Sequence, residues 1–359
     1  MKTARALLKD GIESVEEMYR LSDLCENAGI FKSGAGKEYL CQIELGKKVN
    51  VNILALGDVG GNLLTGLVLL GGDIIESIGI FDINGNNAER YEAEMNQIAY
   101  PPVLSNLSVG ADLGNANVRR IPKVFVIDSE DELFNCDIFI FCASKGVPAV
   151  GANVSDVRMA QYEGNKPIVE HYAKLASSKS FSGVFAVVSD PVDNLCKAAY
   201  LASGLNPGQF HGFGLGVMNG RALYYAKKEK RFEQYLTEGR AFGPHGQDLV
   251  LANSISNYDD ELSKELTKLV TVENIRIRNL GFKPFIAPAF SSGAISILSL
   301  IRGEWNYSSK YIGIGAEGAF LGALNRVVVG KIEIENALLP EKLFERIKVA
   351  YENLKTSLV

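Results

Sequence analysis

The chain has 359 residues, 47% of them hydrophobic and 22% charged, which supplies a large buried core and excludes an intrinsically disordered chain. Thirty-seven Lys and Arg against 42 Asp and Glu leave a formal charge of −5, so the basic excess that a nucleic-acid partner draws on is missing. Five scattered cysteines without a CxxC pair argue against a zinc site or a disulfide framework and fit a reducing cytoplasm, and only three histidines, His171, His211 and His245, can seat imidazole chemistry.

The opening segment lacks the uninterrupted apolar core of a signal peptide, and no stretch of about 18 apolar residues occurs, so a soluble protein with no membrane partner is expected. Val15, Met18, Leu21, Leu24 and Cys25 recur at helical spacing, which predicts an amphipathic helix over Val15–Asn27 packing on the main body or a sister subunit. From Asn50 the pattern changes to short apolar runs: VNILAL, SIGIFDI, KVFVID, DIFIFCA and GVFAVVSD, each the length of a buried parallel strand. The leucine-rich stretch Asn62–Gly72 between the first two completes a strand–helix–strand crossover. Further on, Arg221–Glu238, Asp259–Thr271, Ser291–Arg302 and Pro340–Leu358 read as helices, and YIGIGAEGAFLGALNRVVVGKIEIEN reads as strands turning at glycines. The pattern divides the chain into an N-terminal arm (1–49), a doubly wound dinucleotide-binding domain (50–194) and a mixed α+β catalytic domain (195–359).

The first strand runs into Ala55-Leu56-Gly57-Asp58-Val59-Gly60, a GxGxxG dinucleotide fingerprint with its first glycine replaced. Gly57 lets a pyrophosphate approach the backbone, Gly60 lets helix and strand pack closely, and the helix N-terminus offers free N–H groups. The second strand ends in Phe81-Asp82-Ile83-Asn84, where the Asp82 carboxylate can accept both ribose hydroxyls of an adenosine and would repel a 2′-phosphate, favouring NAD over NADP. Asp58 is awkward beside a pyrophosphate unless it points away or caps the helix.

From about Val51 onward the chain resembles the lactate/malate dehydrogenase family. Ser189-Asp190-Pro191-Val192-Asp193 is similar to its S/TNPVD block, Gly216-Val217-Met218-Asn219-Gly220-Arg221 to LDSAR, Gly243-Pro244-His245-Gly246-Gln247 to GEHGD, and Gly318-Ala319-Phe320-Leu321-Gly322 to its closing strands, all in the family's order. The resemblance implies a Rossmann doubly wound parallel sheet followed by a mixed α+β catalytic domain, and a homo-oligomer, dimer or tetramer. It implies an NAD-dependent oxidoreductase moving hydride between the cofactor and a small 2-hydroxy or 2-oxo acid. His245 would be the acid/base, Arg221 the fork for the substrate carboxylate, Arg158 the polarising residue on a mobile loop, and Ser291 a pocket residue whose alternative role is helix capping. It also implies cofactor contacts at Ile83, at Cys142, Ala143 and Ser144, at Asn165, and at Val188 and Asp190, beside Gly57, Asp58, Val59, Gly60 and Asp82.

Two departures bear on the chemistry. The family's aspartate that hydrogen-bonds the catalytic histidine is replaced by Met218, while its asparagine in the NPVD block is replaced by Asp190. Loss and gain in one pocket suggest a relocated acid, with Asp190 as the new partner of His245. Ala149, Val150, Ala152 and Val154 occupy the loop where malate enzymes of the family carry an arginine, leaving Lys145 as the one reserve cation, so a dicarboxylate is disfavoured. Two other readings stay open: an NAD-binding protein of this fold that has lost the reaction, and the metal-dependent NAD glycosidase branch, with Cys196 and His211 as its only candidate ligands. His211 otherwise reads as a hydrogen-bonded residue near a strand start, and His171 as a surface or packing residue of a helix over Pro167–Ser177.

Overall fold

The computed structural model describes residues 3–9, 12–25, 46–100, 120–146, 157–328 and 330–357, with side chains outside the description at 3–9, 12–16 and 157–160. Two antiparallel strands, β1 (Thr3–Lys9) and β2 (Ile12–Tyr19), lead to a short 3-10 turn at Leu21–Leu24. The helix expected over Val15–Asn27 is therefore corrected to the end of a hairpin strand and a turn, with Glu26 and Asn27 outside the described residues. The reason is tertiary. Met18 pairs with Pro340 and Tyr19 with Leu339, Tyr19 stacks on Phe344 at 4.6 Å, and Met18 and Leu21 are buried, contacts that override a local helical period.

The dinucleotide-type half follows as β3 (Val49–Leu54), α1 (Asp58–Leu70), β4 (Ile75–Phe81), α2 (Gly85–Asn96), β5 (Lys123–Val126), β6 (Ile138–Phe141), α3 (Val157–Ser178), β7 (Val184–Val187), α4 (Val192–Ser203) and β8 (Phe210–Gly212). Its six strands are parallel in the order β5-β4-β3-β6-β7-β8, the doubly wound arrangement in which strand order reverses between β3 and β6. The apolar runs in the sequence are these strands, and β6 and β7 are buried at every position because helices cover both faces. Leu63, Leu64, Leu67 and Val68 of α1 pack one face with Ala88 and Met95 of α2. Val169, Tyr172 and Ala173 of α3 and Leu195 and Ala199 of α4 pack the other.

The remaining chain forms α5 (Leu215–Lys228), α6 (Tyr235–Glu238), β9 (Arg240–Phe242), β10 (Val250–Ala252), α7 (Asp260–Asn279), a π-helical segment over Pro288–Ala294, α8 (Ile295–Arg302), β11 (Asn306–Ile314), β12 (Glu317–Val328), β13 (Lys331–Ile334), β14 (Leu339–Pro340) and α9 (Glu341–Thr356). β11, β12 and β13 add antiparallel to β8, so one nine-stranded sheet runs through the whole molecule. A separate apolar cluster, including Leu215, Met218, Phe232, Tyr235, Leu266 and Val270, binds α5, α6 and α7 to the β9–β10 hairpin. No helix among the described residues is long and apolar enough to cross a membrane.

Candidate active site

The glycine loop lies at the C-terminal end of β3, beside the reversal of strand order, where open α/β sheets leave a crevice for ligands. Ala55, which stands where the fingerprint has its first glycine, takes φ +73°, so the backbone keeps the left-handed turn with an alanine in it. A Cβ on Gly60 would lie 2.0 Å from the Ala55 carbonyl oxygen and 3.3 Å from the Cys142 Cβ, which is why helix and strands close up only with glycine there. Gly57 differs. It takes an ordinary φ of −71° as N-cap of α1, supplies no capping side chain, and a Cβ on it would meet nothing within 4 Å. The protein itself makes no demand for glycine at that position, whereas a pyrophosphate seated on the helix N-terminus does, so the loop fits a dinucleotide.

Asp82, just beyond β4, accepts hydrogen bonds from the N–H of Leu56 (2.7 Å) and of Asn84 (2.9 Å), and from Asn87 Nδ2 at 3.2 Å. Its carboxylate is thereby fixed beside the loop with lone pairs still available for hydroxyls. Ile83 is fully exposed next to it. Asp58, the first residue of α1, pairs with Lys283 at 2.8 Å. Val59 is packed against the core.

The ends of β6 and β7 are tied together. Asn165 on α3, buried, accepts from the Lys145 N–H (2.9 Å) through Oδ1 and donates to the Asp190 carbonyl (2.8 Å) through Nδ2. Ser189 Oγ donates to the Ala143 carbonyl at 2.8 Å, and Ser144 Oγ accepts from the Gly146 N–H at 3.1 Å. Val188 is buried at the end of β7, with its N–H on the Phe141 carbonyl. Cys142 is partly buried, and desolvation pushes its thiol up to about 12, which keeps it protonated. The peptide bond between Asp190 and Pro191 is cis.

His245 sits in the turn before β10, between two left-handed glycines, Gly243 at φ +87° and Gly246 at φ +135°. Gly243 donates its N–H to Gly322 of β12, anchoring the turn to the central sheet. His245 Nδ1 lies 3.1 Å from Asp190 Oδ1, so the structure brings together the histidine and the carboxylate gained in the NPVD-like block. Its Cβ fills the space beside Gly214, where any side chain would approach within 2.8 Å. Asp193, three residues beyond Asp190, is buried on the first turn of α4 and accepts a hydrogen bond from Ser309 Oγ. Burial raises its carboxyl to about 6 despite that bond and the nearby His245.

Met218 is buried in the apolar cluster of α5 and α7, with its sulfur 3.5 Å from Arg221 Nη1. Arg221 is itself buried, and Nη1 also donates to the Val270 carbonyl at 3.4 Å. Burial lowers its pKa, opposed by the charges of Glu273 and Asp190, yet among the described residues no carboxylate lies within ion-pair distance of it. Glu273 is committed elsewhere, to Tyr225 Oη (2.7 Å) and Arg276 (2.6 Å). A desolvated guanidinium without a carboxylate costs several kcal/mol, which is the signature of a cation kept for an incoming anion.

Ser291 and Ser292 lie inside the π-helical segment and neither caps the helix they belong to, whose N-cap is Ala287, which corrects that expectation for Ser291. Its carbonyl accepts from Ser296 Oγ at 2.8 Å, and its Oγ stands 3.5 Å from where a Cβ on Gly220 would be. Ser292 is the residue that sequence reasoning undervalued: its Oγ donates to the Gly214 carbonyl (2.7 Å) and accepts from the Val217 N–H (2.8 Å), satisfying an end group of α5 from a different helix. The pairing depends on an i→i+5 turn that no local pattern announces.

The helix position of Arg158 is described but its side chain is not, and Ala149, Val150, Ala152 and Val154 lie outside the described residues. His211 is buried on β8, with Nε2 3.0 Å from the Gly208 carbonyl and Nδ1 against Lys310. His171 is exposed on α3 and pairs with Glu130 at 3.1 Å. Cys196 is buried in the core, and among the described residues no cluster of three or more His, Cys, Asp or Glu could hold a metal ion.

A scan of the chain against known protein families finds no match. An L-lactate dehydrogenase of Treponema denticola is 26% identical over 211 residues, 59% of each chain, so the match spans about three-fifths of that relative's length. A ligand-bound minor L-lactate dehydrogenase of Enterococcus mundtii superposes on 86% of this chain and 96% of its own, with a TM-score of 0.66 and 17% identity. A malate dehydrogenase of Archaeoglobus fulgidus, solved in complex with NADH, superposes on 85% of this chain and 97% of its own, with a TM-score of 0.63 and 16% identity. Over most of its length the chain is similar in fold to lactate and malate dehydrogenases, and over 59% of its length it is similar in sequence to an L-lactate dehydrogenase.

Proposed function

We propose that the chain is an NAD-dependent oxidoreductase that interconverts a small 2-oxo acid and its 2-hydroxy acid, with a monocarboxylate preferred over a dicarboxylate. The observation that carries the reading is the buried Arg221, without a carboxylate among the described residues and close enough to Asp190 to feel its charge, while Asp190 holds His245. A bidentate fork for a substrate carboxylate and a proton-transferring ring, each in the neighbourhood of Asp190, support the arrangement a 2-oxo acid requires.

The cofactor supplies or accepts the hydride when bound, at a site for which the glycine loop and Asp82 are suited. Arg221 orients the substrate through its carboxylate. His245, with Nδ1 turned to Asp190, carries the transferable proton on Nε2 and delivers it to the carbonyl oxygen as the ketone becomes an alcohol; in oxidation Nε2 takes it back. Asp190 stabilises the imidazolium and fixes the ring, the work that Met218 cannot do. Arg158, in the first turn of α3, is the residue to which this reading gives the polarising of the carbonyl. Ser291 borders the pocket next to Gly220. A soluble homo-oligomer in the cytoplasm completes the reading.

The test is NADH oxidation by the purified protein against a panel of 2-oxo acids, alongside direct NADH binding. Turnover of a monocarboxylic 2-oxo acid is expected, with Arg221→Ala lowering kcat/KM by about 10²–10³-fold, the cost of removing one member of a buried charge pair. Turnover unaffected by Arg221→Ala would overturn the site. NADH binding with no turnover across the panel would favour a fold that has lost its reaction, the reading to which the apolar setting of Met218 lends weight.

A further inference from the structure

The charge of Asp58 is the unresolved feature of the glycine loop. As the first residue of α1 it lies at the positive end of the helix, a favourable place for a carboxylate when the site is empty and an unfavourable one beside a bound pyrophosphate. The structure answers this from the other half of the molecule. Lys283, on the connection between α7 and the π-helical segment, places Nζ 2.8 Å from Asp58 Oδ2 across 225 residues of chain. Gly281, at φ +87°, and Pro284 flank it and set the course of that connection.

Both side chains are well exposed, 77% for Lys283 and 49% for Asp58, and exposed pairs of this kind contribute little to folding. Their position is the informative part. The pair stands at the mouth of the glycine loop, where neither a close contact nor a positive φ accounts for Gly57. We propose that Lys283 is a cofactor-affinity residue: it cancels the charge of Asp58, so that a dinucleotide pyrophosphate meets a neutral pair and the N–H groups of α1 instead of a carboxylate. The inference rests on the cofactor reading above and adds to it a cation from the substrate-side half of the chain.

The experiment is NADH binding at low salt, by fluorescence and calorimetry, for the wild type, Lys283→Ala, Asp58→Asn and the double variant, with adenosine as a ligand lacking phosphate. A unit charge roughly 5 Å from the pyrophosphate in a near-aqueous dielectric changes affinity about five- to twentyfold. Lys283→Ala is therefore expected to weaken NADH by that factor with adenosine unchanged. Adding Asp58→Asn should restore affinity to within about twofold of the wild type, and the defect should shrink as salt is raised past the Debye regime. Equal NADH affinity in wild type and Lys283→Ala, or no restoration in the double variant, overturns the role of Lys283 and leaves the cofactor reading standing. A wild type that binds no NADH overturns both. Thermal melting of each variant separates these outcomes from misfolding.

Discussion

The glycine loop and the His245 pocket both depart from the patterns they resemble, and they do so in opposite ways. At the loop the side chain changes and the geometry stays: Ala55 occupies a left-handed conformation that the fingerprint gives to glycine, and the turn closes around Gly60 all the same. Around His245 the contact stays and its source changes: the carboxylate beside the ring comes from the β7–α4 connection, and the α5 position is apolar. The difference follows from what each site needs. A turn needs a backbone conformation, which a small residue can be forced into at a cost of about 1–2 kcal/mol. A proton-transfer site needs a charge at hydrogen-bond distance, and any element that reaches the ring can provide it.

The largest effect that would break this comparison is at Asp190. Asp190→Asn keeps the shape but withdraws the carboxylate that holds the ring at Nδ1, so kcat/KM should fall by about 10²–10⁴-fold. An unchanged rate would show that the acid has been lost without replacement. Next comes Asp193. Its carboxyl, raised by burial to about 6, binds a proton more tightly folded than unfolded, so its stabilising contribution is complete below about pH 4 and disappears as pH climbs through about 6. The wild type should therefore lose about 2–3 kcal/mol relative to Asp193→Asn between pH 4 and 8, measured by denaturant titration at each pH. A constant difference would place the charge of Asp193 outside the energetics of the pocket. Smallest is Ala55→Gly, expected to raise stability by about 1 kcal/mol by releasing the left-handed alanine, with NADH affinity unchanged. A loss of stability would mean that the alanine methyl packs well enough to offset its backbone.

Much of this was legible in the sequence, for reasons that differ by region. Five of the six strands of the doubly wound half announce themselves as short apolar runs, most plainly β6 and β7, which are buried on both faces, whereas the three-residue β8 is too short to do so. The pairing of His245 with Asp190 was legible as one exchange, a carboxylate lost at Met218 and gained beside a proline. The N-terminal hairpin was not, because Met18 takes its pairing from Pro340, at the far end of the chain. Nor was the role of Ser292, which exists only once a π-helical turn carries it to the start of α5. The isolation of Arg221 from carboxylates is likewise a property of packing, since Glu273 on the neighbouring helix is occupied by Tyr225 and Arg276.

Asn165 has a consequence beyond the contacts it makes. One carboxamide grips the backbone at Lys145 with its oxygen and the backbone at Asp190 with its nitrogen. The start of the chain segment that runs on from β6 and the acid behind the histidine are thus set by a single planar group of fixed width, and neither can be adjusted alone. Because both contacts are to backbone groups, side-chain changes at 145 and 190 leave the clasp intact, and a change at Asn165 alone releases both segments together.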